Sequence, residues 1–266
     1  MAGGNSSWSG VAHKGKKKVE EIPQDQDLPI PECSWRPSIL SKRQIQALEK
    51  EGFLTKHLSG WRDTLGHESP FEETEEVTIF RSFFECGFGI PTSDFFRGLL
   101  NSYRIELCHL TPNSIIHISI FIHLCETYLG IDPHFHLFCF LFRLKSIPDD
   151  NNPKVVGGAS FQFRQGAKNK YIPYNTQDLS KTDCHKEWFY VANHLPKLGP
   201  RTGQPPRKMI QWYDPLNKND ETQIPDLLEM IKAVKEQGLT GARVYMSFLQ
   251  RRIQPIKQRC TPGYLY

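Results

Sequence analysis

This sequence contains no apolar run long enough to cross a bilayer. Its longest, residues 115–129, is interrupted by His117, Ser119, His123 and Glu126, and a spanning helix needs about 20 residues. No basic segment leads into an apolar one near the start, so neither a secretory leader nor a membrane partner is expected. No Cys-x-x-Cys pair occurs. The 7 cysteines are scattered and odd in number, which speaks against a disulfide framework and for a reducing intracellular setting, cytoplasm or nucleus. A strong excess of one charge is missing as well. Against 33 Lys and Arg stand 29 Asp and Glu, too even a balance to demand a polyanionic partner by itself. A chain of 266 residues is still long enough to bury a core without covalent staples.

Signatures of catalysis are also missing. There is no Gly-x-Ser-x-Gly elbow. Residues 10–17 approach a phosphate-binding loop, but no Ser or Thr follows the lysine and no strand precedes it. Residues 1–27 are rich in Gly, Ser, Lys and Gln, a composition that predicts a disordered tail. In Asp63-Thr64-Leu65-Gly66 an extra Leu spoils the Asp-Thr-Gly turn of aspartic proteases, and Asp149-Asp150 lacks the Tyr and apolar flanks of a polymerase site. His117 and His123 lie on different sides of one helix, and His134 and His136 diverge too. The pairs Cys108-His109 and Cys184-His185 have no partner pair at zinc spacing. Asp94, Asp132 and Glu126 would be the carboxylates of a metal-dependent nuclease, but Asp94 and Asp132 stand where helix-start residues belong. No catalytic residue, cofactor, metal or small-molecule substrate is therefore expected.

What is present is a dense apolar middle, residues 80–145. Three helix starts can be read in it: Ser93 or Thr92; Thr111 followed by Pro112; and Asp132 followed by Pro133. Proline suits the first helical position, whose N–H has no helical partner. The first helix runs to about Tyr103, the second ends before Gly130, and the third reaches about Lys145. The second is apolar on nearly every side and should be central. Ahead of them, residues 41–51 form a short helix with a capping box from Ser41 and Gln44. After the acidic stretch 68–76, residues 77–84 read as a strand. Further strands are expected at 155–164, with a kink at Gly157-Gly158, and at 170–174 and 188–192. Residues 194–206 read as a loop. Helices at 226–237 and from Thr240 close the chain.

These elements describe an α+β protein: a compact unit of three capped helices, an adjoining small set of short strands and two C-terminal helices. Five segments follow: a polar tail (1–34), an N-terminal helix with an acidic linker (35–79), the helical core (80–146), a strand and loop region packing on it (147–215) and the closing helices with a basic end (216–266). No acid occurs from 237 to 266, where Arg251, Arg252, Lys257 and Arg259 lie. A second basic group, Arg207 and Lys208, is close to Trp212. Basic residues interleaved with aromatic ones bind nucleic acid by phosphate contact and stacking. The competing reading is that Arg251 and Arg252 complement a helix C-terminus.

Several motifs also carry a resemblance. They are Gly89-Ile90-Pro91-Thr92-Ser93-Asp94-Phe95-Phe96, Leu110-Thr111-Pro112-Asn113-Ser114-Ile115 and Phe121-Ile122-His123-Leu124-Cys125-Glu126. With Tyr171-Ile172-Pro173-Tyr174, Trp188-Phe189-Tyr190 and Arg251-Arg252-Ile253-Gln254-Pro255, they resemble the domain named putative gypsy-type transposase, or putative gypsy-type transposon, found in proteins of plant retrotransposons. Cys86 departs from the Arg expected at that position. The resemblance implies an element-encoded, gag-like protein with no assigned catalytic residues. Three functions follow as expectations: a non-catalytic structural or assembly protein that self-associates, a module binding element RNA or DNA, and a true transposase or nuclease.

Overall fold

Helix α1 (Lys42–Lys50) begins as its sequence dictates. In the computed structural model the Gln44 N–H donates to Ser41 Oγ, while the Gln44 side chain accepts the Ser41 N–H at 2.8 Å. Both partners of the expected capping box are thus formed, and Ile45 and Leu48 are buried beneath it. The structure describes residues 35–54, 60–64, 66–147, 154–172, 174, 184–194, 196–213 and 222–254. The predicted tail (1–27), Asp149, Asp150, Lys257 and Arg259 lie outside them.

Strands β1 (Trp61–Arg62), β2 (Glu76–Phe80), β3 (Phe142–Ser146), β4 (Ala159–Phe163) and β5 (Trp188–Ala192) form two antiparallel sheets. The first has the order β1-β5-β2, with Thr78 and Arg62 both opposite Tyr190. The second is the pair β3-β4, with Leu144 opposite Phe161. The remaining helices are α2 (Arg81–Glu85), α3 (Asp94–Tyr103), α4 (Pro112–Leu124), α5 (Phe135–Leu141), α6 (Ala167–Lys170), α7 (Ile224–Glu236) and α8 (Gly241–Phe248). This is the mixed α+β class that the sequence predicts.

The predicted start signals operate at α3, α4 and α8. Ser93, Thr111 and Thr240 accept N–H bonds from Phe96, Ser114 and Arg243. Four other expectations need correction. The strand predicted over 77–84 stops at Phe80, because its partner β5 begins opposite it, at Trp188. Residues 81–85 turn instead into α2, with the Cys86 N–H donating to the Ser82 carbonyl at 3.1 Å and Ser82, Phe83 and Phe84 buried. The helix expected from Asp132 starts later, at Phe135, with His134 Nδ1 accepting the Leu137 N–H at 3.2 Å. It ends at Leu141, and Phe142–Ser146 is a strand with alternating buried and exposed residues. The strand predicted over 155–164 is trimmed to Ala159–Phe163, after a kink in which Gly157 has φ +66°. Residues 170–172 and 174 form no strand; the short helix α6 ends at Lys170.

Helix α4 organises the interior. Ten of its residues are buried, from Pro112 to Leu124, around its circumference. Ser114 and Phe121, two turns apart, share one side of the helix, and His123 lies on the opposite one. The Phe161 N–H of β4 donates to Ser114 Oγ at 2.9 Å. Phe121 stacks on Phe95 of α3 and meets Phe138 of α5 edge-on, with ring centres 5.7 and 5.2 Å away. His123 faces Ser247 and Phe248 of α8. Helix α4 then continues into a π-helical turn, Cys125–Leu129, closed by Gly130, and α8 into a matching turn, Leu249–Ile253. Arg252 and Glu126 pair across these two turns.

Gly87, after α2, sits where a side chain has no room. A Cβ there would lie 2.6 Å from the Phe248 ring and 2.9 Å from Ser119 Oγ, at φ +93°. Gly130 shares the left-handed backbone, at φ +66°, but has open space around it. Chemical denaturation separates the two effects. Gly130→Ala should cost about 1–2 kcal/mol, the backbone penalty alone, and Gly87→Ala a further 1–3 kcal/mol or so from overpacking. Equal losses would show that α8 does not press on this turn.

Candidate functional site

Among the described residues, a cluster of carboxylate, thiol and imidazole side chains forms where α3 ends. Arg104 adopts a left-handed conformation, φ 49°, and turns the chain into a single 3-10 turn, Leu107–His109. Glu106 enters that turn with its N–H donating to His109 Nδ1 at 3.0 Å. On the other side of the ring, His109 Nε2 lies 2.9 Å from the Gln204 carbonyl. Glu106 Oε1 accepts the N–H of Thr202 at 3.1 Å and its hydroxyl at 2.5 Å, while Oε2 accepts the Cys108 thiol at 3.6 Å. The Cys108 carbonyl in turn accepts the Gly157 N–H at 2.9 Å.

This geometry fixes the proton positions. Nδ1 of His109 faces an N–H and must accept, so the ring proton sits on Nε2 and points at the Gln204 carbonyl. Burial holds the His109 pKa below its ordinary range, against the opposing pull of Glu106. Burial also raises the Cys108 thiol far above its usual range, Glu106 adding to the effect. The ligand atoms of Glu106, Cys108 and His109 lie within 4.8 Å of one another, and only among these three do the described residues form such a group. A metal ion needs an unprotonated ring nitrogen and a thiolate. Here one nitrogen is occupied by a backbone N–H, the other bears the proton, and the thiol is neutral. The cluster as built is a fastener that ties residues 202–204 to the end of α3. Its sequence signal is weak: Cys108-His109 is visible, but Gln204 lies 95 residues away.

His117, His123 and the buried thiols are also engaged in packing. His117 Nδ1 is 2.7 Å from the Tyr174 hydroxyl, with its ring against Phe142 and Phe163. His123 bonds to Ser247 and Thr127. Burial pushes His117 down to about 4; burial, then Arg252 and Arg251, do the same to His123. Cys125 and Cys139 are pushed up to about 12 and about 11, mainly by burial. Cys86, Cys108, Cys125 and Cys139 are free thiols.

The carboxylates of the nuclease reading do not converge. Asp94 pairs with Arg97 in the first turn of α3, Glu126 pairs with Arg252, and Asp132 is exposed. Among the predicted nucleic-acid contacts, Arg207, Lys208 and Arg251 are exposed. Trp212 requires correction. Its indole is fully buried and donates to the Tyr103 carbonyl at 3.0 Å, so it offers no face for a base. An open hollow beside α7 brings Lys170, Asp226 and Glu229 around Phe140 and Ile224; Lys170 there lies over the Phe140 ring.

The buried imidazoles make stability depend on pH. An unfolded histidine takes up its proton near pH 6.5, whereas folded His117 stays neutral to about 4. The unfolded state therefore binds more protons between these values, and stability is lost as pH falls through that window. Urea unfolding should show a loss of about 3 kcal/mol from His117 by pH 4, with His123 acting in the same direction. His117→Phe should reduce that loss, and a profile that stays flat from pH 7 to pH 4 would contradict the assignment.

Comparison with known proteins places the middle of this chain. Curated proteins and solved structures give no match. Residues 77–146, which run from β2 through α4 to β3, match the family model described as Putative gypsy type transposon. The part of the chain built around α4 is thus similar to a gypsy-type transposon domain.

Proposed function

We propose that this chain is a non-catalytic, gag-like structural or assembly protein of a gypsy-type element, working inside the cell, in the cytoplasm or nucleus. The observation that carries this reading is the use made of its reactive side chains. His109, His117 and His123 each hold a hydrogen bond that joins distant parts of the chain. The described free thiols are buried. Such groups serve packing, as a scaffold requires, and a reducing compartment keeps the thiols in that state. No helix among the described residues is long and apolar enough to cross a membrane.

Assembly needs adhesive surface. Met230 on α7 and Met246 on α8 are exposed, at 36% and 50%. Methionine is flexible and polarizable, and exposed methionines are recurrent contact groups at protein-binding surfaces. Sedimentation velocity over a hundredfold concentration range should reveal reversible self-association. Met246→Glu should shift it at least tenfold toward monomer without changing the unfolding midpoint. A strictly monomeric protein at every concentration would contradict the proposal.

A further inference from the structure

The β3-β4 hairpin carries two exposed cations on β3. Phe142, Leu144 and Ser146 of β3 point inward, so Arg143 and Lys145 are exposed. Their cross-strand neighbours are Gln162 and Ser160, which are uncharged. Among the described residues neither Arg143 nor Lys145 forms an ion pair. Several other cations are neutralised locally: Arg62 bonds to Glu76, Arg81 to Glu85, Lys197 to Glu75 and Arg252 to Glu126.

A second segment runs along this hairpin. The Pro206 ring lies against Gly158 at one end. At the other, Arg164, directly after β4, donates to the Tyr213 carbonyl. The turn Ile210–Trp212 packs on β3 between them. Trp212 anchors the segment in the core, while its neighbours Ile210 and Tyr213 are 75% and 49% exposed. Arg207, next to Pro206, is exposed as well. One flank of the hairpin thus combines fixed positive charge with an accessible aromatic ring and an apolar side chain.

That combination fits an occupant with regularly spaced negative charges and free planar faces. Phosphates satisfy the cations, and unpaired bases stack on an aromatic ring regardless of sequence. A duplex offers the charge but hides the faces. We propose that Arg143, Lys145, Arg207 and Tyr213 form a binding surface for single-stranded nucleic acid. This function is independent of self-association, and it places the contact beside β3 rather than at Trp212 or Arg252.

Fluorescence anisotropy with a labelled 20-nucleotide single strand, as RNA and as DNA, and with a duplex of equal length tests it. The full chain should bind single strands more tightly than duplex, and affinity should fall steeply between 50 and 200 mM salt. Each phosphate contact contributes about 0.7 to the logarithmic salt slope for single strands. The triple variant Arg143→Gln, Lys145→Gln, Arg207→Gln should therefore flatten the slope by about 2 and weaken binding at least tenfold. Tyr213→Ala should cost about fivefold or more on single strands and leave duplex binding unchanged. The matched control Lys42→Gln, Arg43→Gln, Lys50→Gln on α1 removes the same charge and should bind as the native chain does. If the triple variant loses its near-ultraviolet circular dichroism, the single substitutions Arg143→Gln and Lys145→Gln carry the test. Absence of salt-dependent binding, equal losses in the control, or duplex binding as tight as single-strand binding would each overturn the proposal.

Discussion

A helix that is apolar on every side must be covered on every side, and this requirement shapes the molecule. Helix α4 cannot rest on a surface with one face in water, as an amphipathic helix does. Its cover comes from both directions along the chain: Phe95 of α3 before it, and Phe138 of α5, Phe161 of β4 and Phe248 of α8 after it. The small groups on α4 mark where cover comes closest. Ser114 receives the backbone of β4, and Ser119 lies beside Gly87, whose missing side chain admits the Phe248 ring.

The same enclosure governs the polar groups inside. A charge sealed in such an interior is costly, whereas a neutral, hydrogen-bonded imidazole is tolerated. His117 and His123 remain uncharged to about pH 4, and each uses its nitrogens to fasten a different part of the chain to α4. His109 does the same for residues 202–204 at the end of α3. Charge is kept to the rim, where pairs such as Arg62 with Glu76 lie across the sheet and over the Tyr190 ring.

What the sequence reveals and what it hides divide along local and distant causes. Caps at Ser41, Ser93, Thr111 and Thr240 are set within four residues, and each is formed as its sequence predicts. The strand Trp188–Ala192 is equally legible from its run of aromatic and branched residues. The segment 135–146 is different. Phe142-Arg143-Leu144-Lys145 follows a helical stretch without a break in hydrophobicity, and only pairing with β4, brought back by the Gly157 kink, makes it a strand. Likewise Trp212 sits among basic residues in the sequence and reads as surface, yet Tyr103, 109 positions earlier, accepts its N–H inside the core. The Glu106–His109 fastener escapes notice for the same reason.

The family-matched stretch 77–146 contains α4 but not all of its cover, since β4 and α8 lie beyond it. Its fold should therefore depend on the flanking segments. Hydrogen exchange on the isolated 77–146 fragment, set beside the same amides in the full chain, tests this most directly. The account predicts slow exchange for α4 amides in the full chain and exchange near the unfolded rate in the fragment. Equal protection of α4 in the two would contradict it.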